Sequence, residues 1–264
     1  GFDLCGVAPC RHLVRNEQFF RRWLGDGRHA SLGYLERNLD KRFDVRRLVE
    51  GAQTVVVCAV GYKNGLSDGY PDDFRAKIAS YALTADYHAT IKGMLGDLFG
   101  RLRAAEPALA GRAFVDSAPL VEKQLAVEAG LGWIGRQSLL VTPRFCRRCV
   151  EACPTGAVCN DRAIDARRCI SCHTIERTPA AEIALDGWIF GCDACQSRCP
   201  YNLRAPLHLH PAFDPLFDPL SFPPERWLAM EEAEFRTSFG RTPLMRSGLR
   251  RLQANAAQNL RRKG

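Results

Sequence analysis

The chain has 264 residues, 46% of them hydrophobic and 25% charged, with a mean hydropathy of −0.20. That composition excludes collagen, low-complexity and disordered classes and leaves room for two globular domains or one elaborated one. The 37 basic residues outnumber the 29 acidic ones for a net charge of +8, which favours a polyanionic partner without bearing on the fold.

The opening Gly1-Phe2-Asp3-Leu4 has no basic leader, so no signal peptide is expected and a cytoplasmic location follows. Thr54–Val60 is β-branched, lies between Gly51 and Gly61, and predicts a buried strand. It is the longest apolar run and far short of the ~20 residues a membrane span needs. Ala113–Val115 predicts a second short strand. A helix is expected after it, capped by Ser117, with Pro119 in its first turn and Gly130 as its stop. Leu120, Val121, Leu125 and Val127 would line one side of that helix. Prolines recur from Ala205 to Pro224 and predict an irregular linker. Met245, Leu249, Leu252, Ala256 and Leu260 then follow the spacing of an amphipathic C-terminal helix. Arg246, Arg250, Arg251, Arg261, Arg262 and Lys263 make its end basic, either as a solvated face or as a phosphate-contact surface.

Twelve cysteines need a reason, and nine fall between residues 146 and 199. Cys146-Arg-Arg-Cys149-Val-Glu-Ala-Cys153-Pro154 is answered by Cys192-Asp-Ala-Cys195-Gln-Ser-Arg-Cys199-Pro200. Two-cluster ferredoxins use this C-x2-C-x3-C-P ending, with the last cysteine serving the neighbouring cluster. A short C-x2-C loop wraps one cubane edge, and the following turn points away. That crossing rule gives one [4Fe–4S] cluster Cys153, Cys169, Cys192 and Cys195. The other receives Cys146, Cys149 and Cys199, because Pro143 stands where the ferredoxin pattern has a further cysteine; Cys159 or Cys172 could substitute, though neither has the right spacing. Zinc is the competing reading of C-x2-C pairs, but doubled C-P endings with crossing spacing favour clusters. A plain ferredoxin needs only this block, so residues 1–140 must hold something for the electrons to reach.

Longer matches sit around these motifs. They are Phe114-Val-Asp-Ser-Ala-Pro-Leu120, Gly130-Leu-Gly-Trp-Ile-Gly135 with Ser138-Leu-Leu140, Asp165-Ala-Arg-Arg-Cys-Ile-Ser171, Gly191-Cys-Asp-Ala-Cys195 and Cys199-Pro-Tyr-Asn202. Together they closely resemble the epoxyqueuosine reductases, cobalamin-dependent enzymes that finish queuosine in tRNA. The resemblance runs from Gly1-Phe-Asp-Leu-Cys-Gly-Val7 to Asn255-Ala-Ala257. It implies an α+β chain: an α/β cobalamin-binding and catalytic domain over 1–141, a ferredoxin-like two-cluster module over 142–204, and a helical, HEAT-like, tRNA-contacting segment over 205–264.

The implied reaction is two-electron reduction of an epoxide to an alkene with loss of water. Electrons would come from a low-potential donor through two [4Fe–4S] clusters to base-off cobalamin. The implied partner is a tRNA with a queuosine-type wobble base, no membrane is involved, and the enzyme would act as a monomer. The resemblance places the proton donor at Asp116; delivering a proton to a departing oxygen requires a carboxylic acid kept protonated, which burial beside a corrin favours. It assigns Arg42, Asp116, Gln137, Ser138 and Leu140 to the cofactor and Lys123, Arg246 and Arg250 to the substrate. The chain departs from the family in running straight from Val141 through Pro143 to Cys146, where the family carries a longer segment with the first cluster cysteine. It also has Cys172-His173 where a larger side chain is usual, and Cys172 reads as a packing residue. Asp86-Tyr87-His88 begins like the D-x-H-x-x-G signature of His-ligated cobalamin proteins, but Ile91 replaces the glycine, so His88 is not read as a cobalt ligand. Two other readings stand beside this one: a dehalogenase-like cobalamin reductase of a small molecule, and a non-catalytic ferredoxin-type electron carrier.

Overall fold

The computed structural model describes residues 1–66, 69–141, 148–176 and 183–261. In chain order the first elements are β1 (Leu4–Pro9), α1 (Val14–Gly25), α2 (Leu39–Arg42), β2 (Thr54–Ala59), β3 (Lys77–Ile78) and α3 (Tyr87–Ala105). There follow α4 (Glu122–Glu128), β4 (Trp133–Ile134), β5 (Leu140–Val141), α5 (Arg148–Glu151), α6 (Ile170–Ile175) and β6 (Trp188–Phe190). The chain ends in α7 (Ala194–Ser197), α8 (Pro200–Arg204), α9 (Pro224–Ala229), α10 (Glu232–Phe239) and α11 (Leu249–Arg261). These elements form two compact units that are discontinuous in sequence. One holds residues 1–60 and 87–145, the other 61–86 and 146–264. The units cut across the boundaries expected at 141 and 204: residues 61–86 join the cysteine block, and that block shares one unit with the C-terminal helices.

In the first unit β1 and β2 pair antiparallel, from Leu4 opposite Ala59 to Pro9 opposite Thr54. Their inner face supplies Val55 and Val57 to a core built on Leu13, Phe43, Val45 and Leu125. The strand at 54–59 is therefore half-buried and not the fully buried strand its composition suggests, because the ribbon has two strands and one covered face. Residues 113–115 form no strand, since no neighbouring strand takes up their backbone groups. The helix after them starts later than expected. It is preceded by Val121, which has no side chain able to cap it, and Ser117 lies instead in the bend before it. Gly130 does end it, in the left-handed conformation (φ +76°) that favours glycine after a last turn. A β4–β5 hairpin completes this unit, pairing Trp133 with Val141 and Ile134 with Leu140.

In the second unit the core is aromatic. Trp227, Phe235 and Phe239 are fully buried, and Trp227 stacks on Phe239 with 5.0 Å between ring centroids. α11 presents the predicted apolar stripe, with Leu249, Leu252 and Ala256 buried; Met245 belongs to a short 3-10 turn (Pro243–Arg246) ahead of the helix. The same helix also buries polar residues that the stripe did not announce. Asn255 donates to the carbonyls of Thr174 (3.2 Å) and Ile189 (2.8 Å), and Asn259 donates to those of Arg75 and Trp188 (both 3.1 Å). The bonds to Ile189 and Trp188 satisfy carbonyls of β6, which also pairs parallel with β3. Between 205 and 224 only short 3-10 turns at 211–213 and 219–221 occur, as the prolines predict.

The Trp227→Ala variant should lose about 3–5 kcal/mol of stability, because it opens a large cavity among rings that cannot collapse into it. Trp227→Phe should cost less, since the indole N–H is buried with no acceptor among the described residues. Denaturant unfolding of both variants, followed by aromatic circular dichroism, checks the order.

Candidate iron–sulfur and proton-donor sites

Part of the cysteine block folds around a cavity. Cys153, Cys169, Cys192 and Cys195 line it, together with Pro154, Thr155, Ala157, Val158, Ile164, Ile170 and Ala194. Three chain segments are needed to bring those four thiols together. Cys153 follows α5, Cys169 immediately precedes α6, and Cys192 and Cys195 sit on the loop and first turn of α7. Gly191 permits the approach: its φ is +67°, and a Cβ there would lie 2.5 Å from that of Ala79. Asp193 fixes the same loop by accepting the Ser80 N–H at 2.6 Å. Lys63 donates to the carbonyls of Asn202 (2.7 Å), Leu203 and Ala205 at the end of α8. Residues 61–86 thus hold the cysteine loops in place, which is why they fold with them.

The cavity suits a thiolate-bound cluster. Its remaining lining is apolar, and backbone N–H groups point at sulfur, with Ala157 N 3.2 Å from Cys153 Sγ. Burial raises the Cys153 thiol, but hydrogen bonds from Val158, Thr155 and Ala157 outweigh it and hold the group below its ordinary range. Burial pushes Cys195 up to about 12 and carries Cys192 and Cys169 upward too. Buried thiolates of this kind require a positive group among them.

The other cysteines are placed as follows. Cys149 on α5 and Cys199 just before α8 are buried, while Cys146 lies outside the described residues. Cys159 is engaged with the Ala157 carbonyl (3.6 Å) and the Arg168 guanidinium (3.7 Å). Cys172 is buried within α6, consistent with packing.

In the first unit Asp116 occupies a bend with φ +53°, a left-handed conformation that Asp tolerates better than most residues. Three side chains of this unit gather there. The Tyr87 hydroxyl donates to Asp116 Oδ2 at 2.6 Å, His88 Nε2 lies 3.6 Å from the same oxygen, and Glu122 Oε1 accepts the Asp116 N–H at 2.8 Å. Burial raises the Glu122 carboxyl. The Asp116 side chain itself is 53% exposed, so the chain alone does not supply the burial that its expected role calls for. Lys123 donates to the Ser138 carbonyl at 3.0 Å and so ties α4 to the β4–β5 hairpin. Ser138 is also left-handed (φ +56°), Gln137 is buried beside it, and Leu140 opens β5. The structure therefore links Lys123 to Ser138, with Gln137 next to Ser138 in sequence, and ties Asp116 to Glu122, the residue before Lys123. Arg42, on α2, lies over the Phe20 ring and donates weakly to the Tyr34 carbonyl; its Nε is buried without an acceptor among the described residues. Arg246 pairs with Glu176 at 2.5 Å, Arg250 is exposed on α11, and Arg262 and Lys263 lie outside the described residues.

Two family models match the chain: "Epoxyqueuosine reductase QueG, DUF1730" over residues 42–117 and "4Fe-4S double cluster binding domain" over residues 143–202. The epoxyqueuosine reductase of Cyclobacterium marinum is 36% identical over 97% of this chain and 91% of its own length. The chain belongs to the epoxyqueuosine reductase family. It is an oxidoreductase. The match to the C. marinum reductase extends over 293 aligned positions, more than this chain's whole length, so the relative has internal residues that this chain lacks. Among solved structures, an epoxyqueuosine reductase with a modified tRNA-Tyr stem loop superposes with a TM-score of 0.84 at 23% identity, over 98% of this chain and 77% of that one. The Bacillus subtilis reductase, captured with its catalytic aspartate loop swung out of the active site, gives the same TM-score, identity and coverage. These likenesses establish that the reductase fold is shared. Among the described residues no helix is long and apolar enough to cross a membrane.

Proposed function

We propose that this chain reduces the epoxide of epoxyqueuosine in tRNA to the alkene, using two electrons and two protons and releasing water. The observation that carries this reading is the gathering of Cys153, Cys169, Cys192 and Cys195 around one cavity, in a chain that also presents Asp116 from a held loop. These four cysteines would hold one [4Fe–4S] cluster. Cys146, Cys149 and Cys199 would hold the other and leave one of its irons to a ligand other than these cysteines. Arg42, Asp116, Gln137, Ser138 and Leu140 would contact cobalamin, and the unpaired Nε of Arg42 offers a donor to the amide-rich rim of such a ligand. When bound, cobalamin supplies a strongly reducing cobalt centre, and the clusters supply electrons singly from a low-potential donor.

The chain's own part is to position and protonate. Asp116 donates a proton to the epoxide oxygen as the C–O bond breaks. Tyr87 holds Oδ2, which leaves Oδ1 to carry the proton toward substrate, and Glu122 anchors the backbone of the bend. The nucleoside, once seated, removes the water that reaches Asp116 in the chain alone, and this favours the protonated acid. The swung-out aspartate loop of the B. subtilis neighbour supports a bend that opens and closes. Arg250 and the basic end of α11 would contact tRNA phosphates, and Arg246 would do so on leaving Glu176.

The test is anaerobic purification followed by iron, sulfide and cobalamin analysis and by mass measurement of an epoxyqueuosine-bearing stem loop. Iron, bound cobalamin and conversion of the epoxide are the expected result, and the cobalt(II) form should show no nitrogen coupling in its electron spin resonance. Zinc in place of iron would defeat the redox reading. Iron without cobalamin or conversion would make the chain an electron carrier.

A further inference from the structure

Cys5 and Cys58 lie outside the cysteine block and take no part in the reading above. They are direct partners across the β1–β2 ribbon, with their sulfurs 3.8 Å apart. The register decides what that pairing permits. Cys10 N donates to Gln53 O at 2.8 Å, one step beyond the Pro9–Thr54 pair. Counting back by twos through a ladder without a bulge makes Cys5–Cys58 a non-hydrogen-bonded pair. At such pairs the Cα atoms approach to about 4.5 Å and the side chains lean together, inside the ~4.4–6.8 Å range that a disulfide spans. A change of side-chain rotamer, with no strand movement, closes the remaining gap to the ~2.0 Å of an S–S bond. The pair also lies on the open face. Ala8 and the core-facing Val55 and Val57 mark the covered side, whereas Cys5, Val7 and Val56 are exposed on the other.

We infer that Cys5 and Cys58 form a reversible redox site that closes to a disulfide on exchange with low-molecular-weight disulfides such as glutathione disulfide. The thiolate of exposed Cys5 attacks one sulfur of glutathione disulfide first, forming a mixed disulfide and releasing one glutathione. The Cys58 thiolate then displaces the second glutathione, so that the S–S bond of the reagent breaks and one Cys5–Cys58 bond forms. The two protein thiols lose two electrons and two protons, and the reagent leaves as two thiols.

The experiment treats anaerobically purified, cluster-loaded protein with glutathione disulfide, alkylates the remaining thiols and maps tryptic peptides. The expected product joins Gly1–Arg11 to Leu48–Lys63, reverses with dithiothreitol, and forms without loss of iron. It should persist in Cys10→Ser, which removes the other cysteine of the first peptide, and vanish in both Cys5→Ser and Cys58→Ala. Stable glutathione adducts without the cross-link, or a cross-link that survives Cys5→Ser, would overturn the assignment. Reductive turnover does not enter the readout, so the result is independent of the proposed function.

Discussion

Replacing Asp116 by Asn should lower turnover about 10²–10⁴-fold while tRNA affinity stays close to that of the unaltered chain. The substitution is informative because it changes so little else. Asn tolerates the left-handed backbone at this bend as well as Asp does, and its side-chain carbonyl can still accept from Tyr87. The Asp116 N–H bond to Glu122 belongs to the backbone and is kept. What disappears is the carboxylic proton. Single-turnover conversion of an epoxyqueuosine-bearing stem loop, with filter binding alongside, separates the two quantities. An Asn variant within a few-fold of the unaltered chain would reduce Asp116 to a bend-forming residue.

The second large effect is expected from Cys192→Ser. Cys192 lines the four-cysteine cavity from a loop pinned by Asp193 and admitted by Gly191. A serine hydroxyl is a poor substitute for a thiolate toward iron, so one cluster's iron and sulfide should be lost and reductive turnover with them. The fold should weaken as well, because a cluster held by these four cysteines would tie together three segments. Cys159→Ser, placed in the same block but outside the cavity lining, should keep its iron. Equal iron in the two variants would sink the ligand assignment.

The cysteine arrangement was legible before the fold because C-x2-C-x3-C-P spacing is itself a geometric statement, and the four residues grouped by the crossing rule do line one cavity. Asp116 stood out by its neighbours in sequence, but Tyr87 is 29 positions away on α3, and no local pattern announces that contact. The strand expected at 113–115 failed for a related reason: three apolar residues become a strand only when a partner strand is beside them. Asn255 and Asn259 were equally hidden. On a helical wheel they are ordinary polar positions, and only the unpaired carbonyls along β6 give them a purpose. Residues 61–86 showed no sign of belonging with the cysteines, since Lys63 and Ser80 act there through bonds to residues more than a hundred positions away.

That last feature also sets a timetable for the growing polypeptide. The chain passes between its two units three times, and β3 at Lys77–Ile78 waits for β6 at Trp188–Phe190. At about 5–20 residues per second, ribosomal synthesis takes of order ten seconds to cover that interval. Throughout it, Phe74, Ala76, Ile78 and Leu83 have left the ribosome without the aromatic core that will bury them. A fragment stopped after residue 141 would remain in that condition permanently, sticky and prone to chaperone capture. Residues 61–86 are made early, yet they finish folding only with the residues that follow 146.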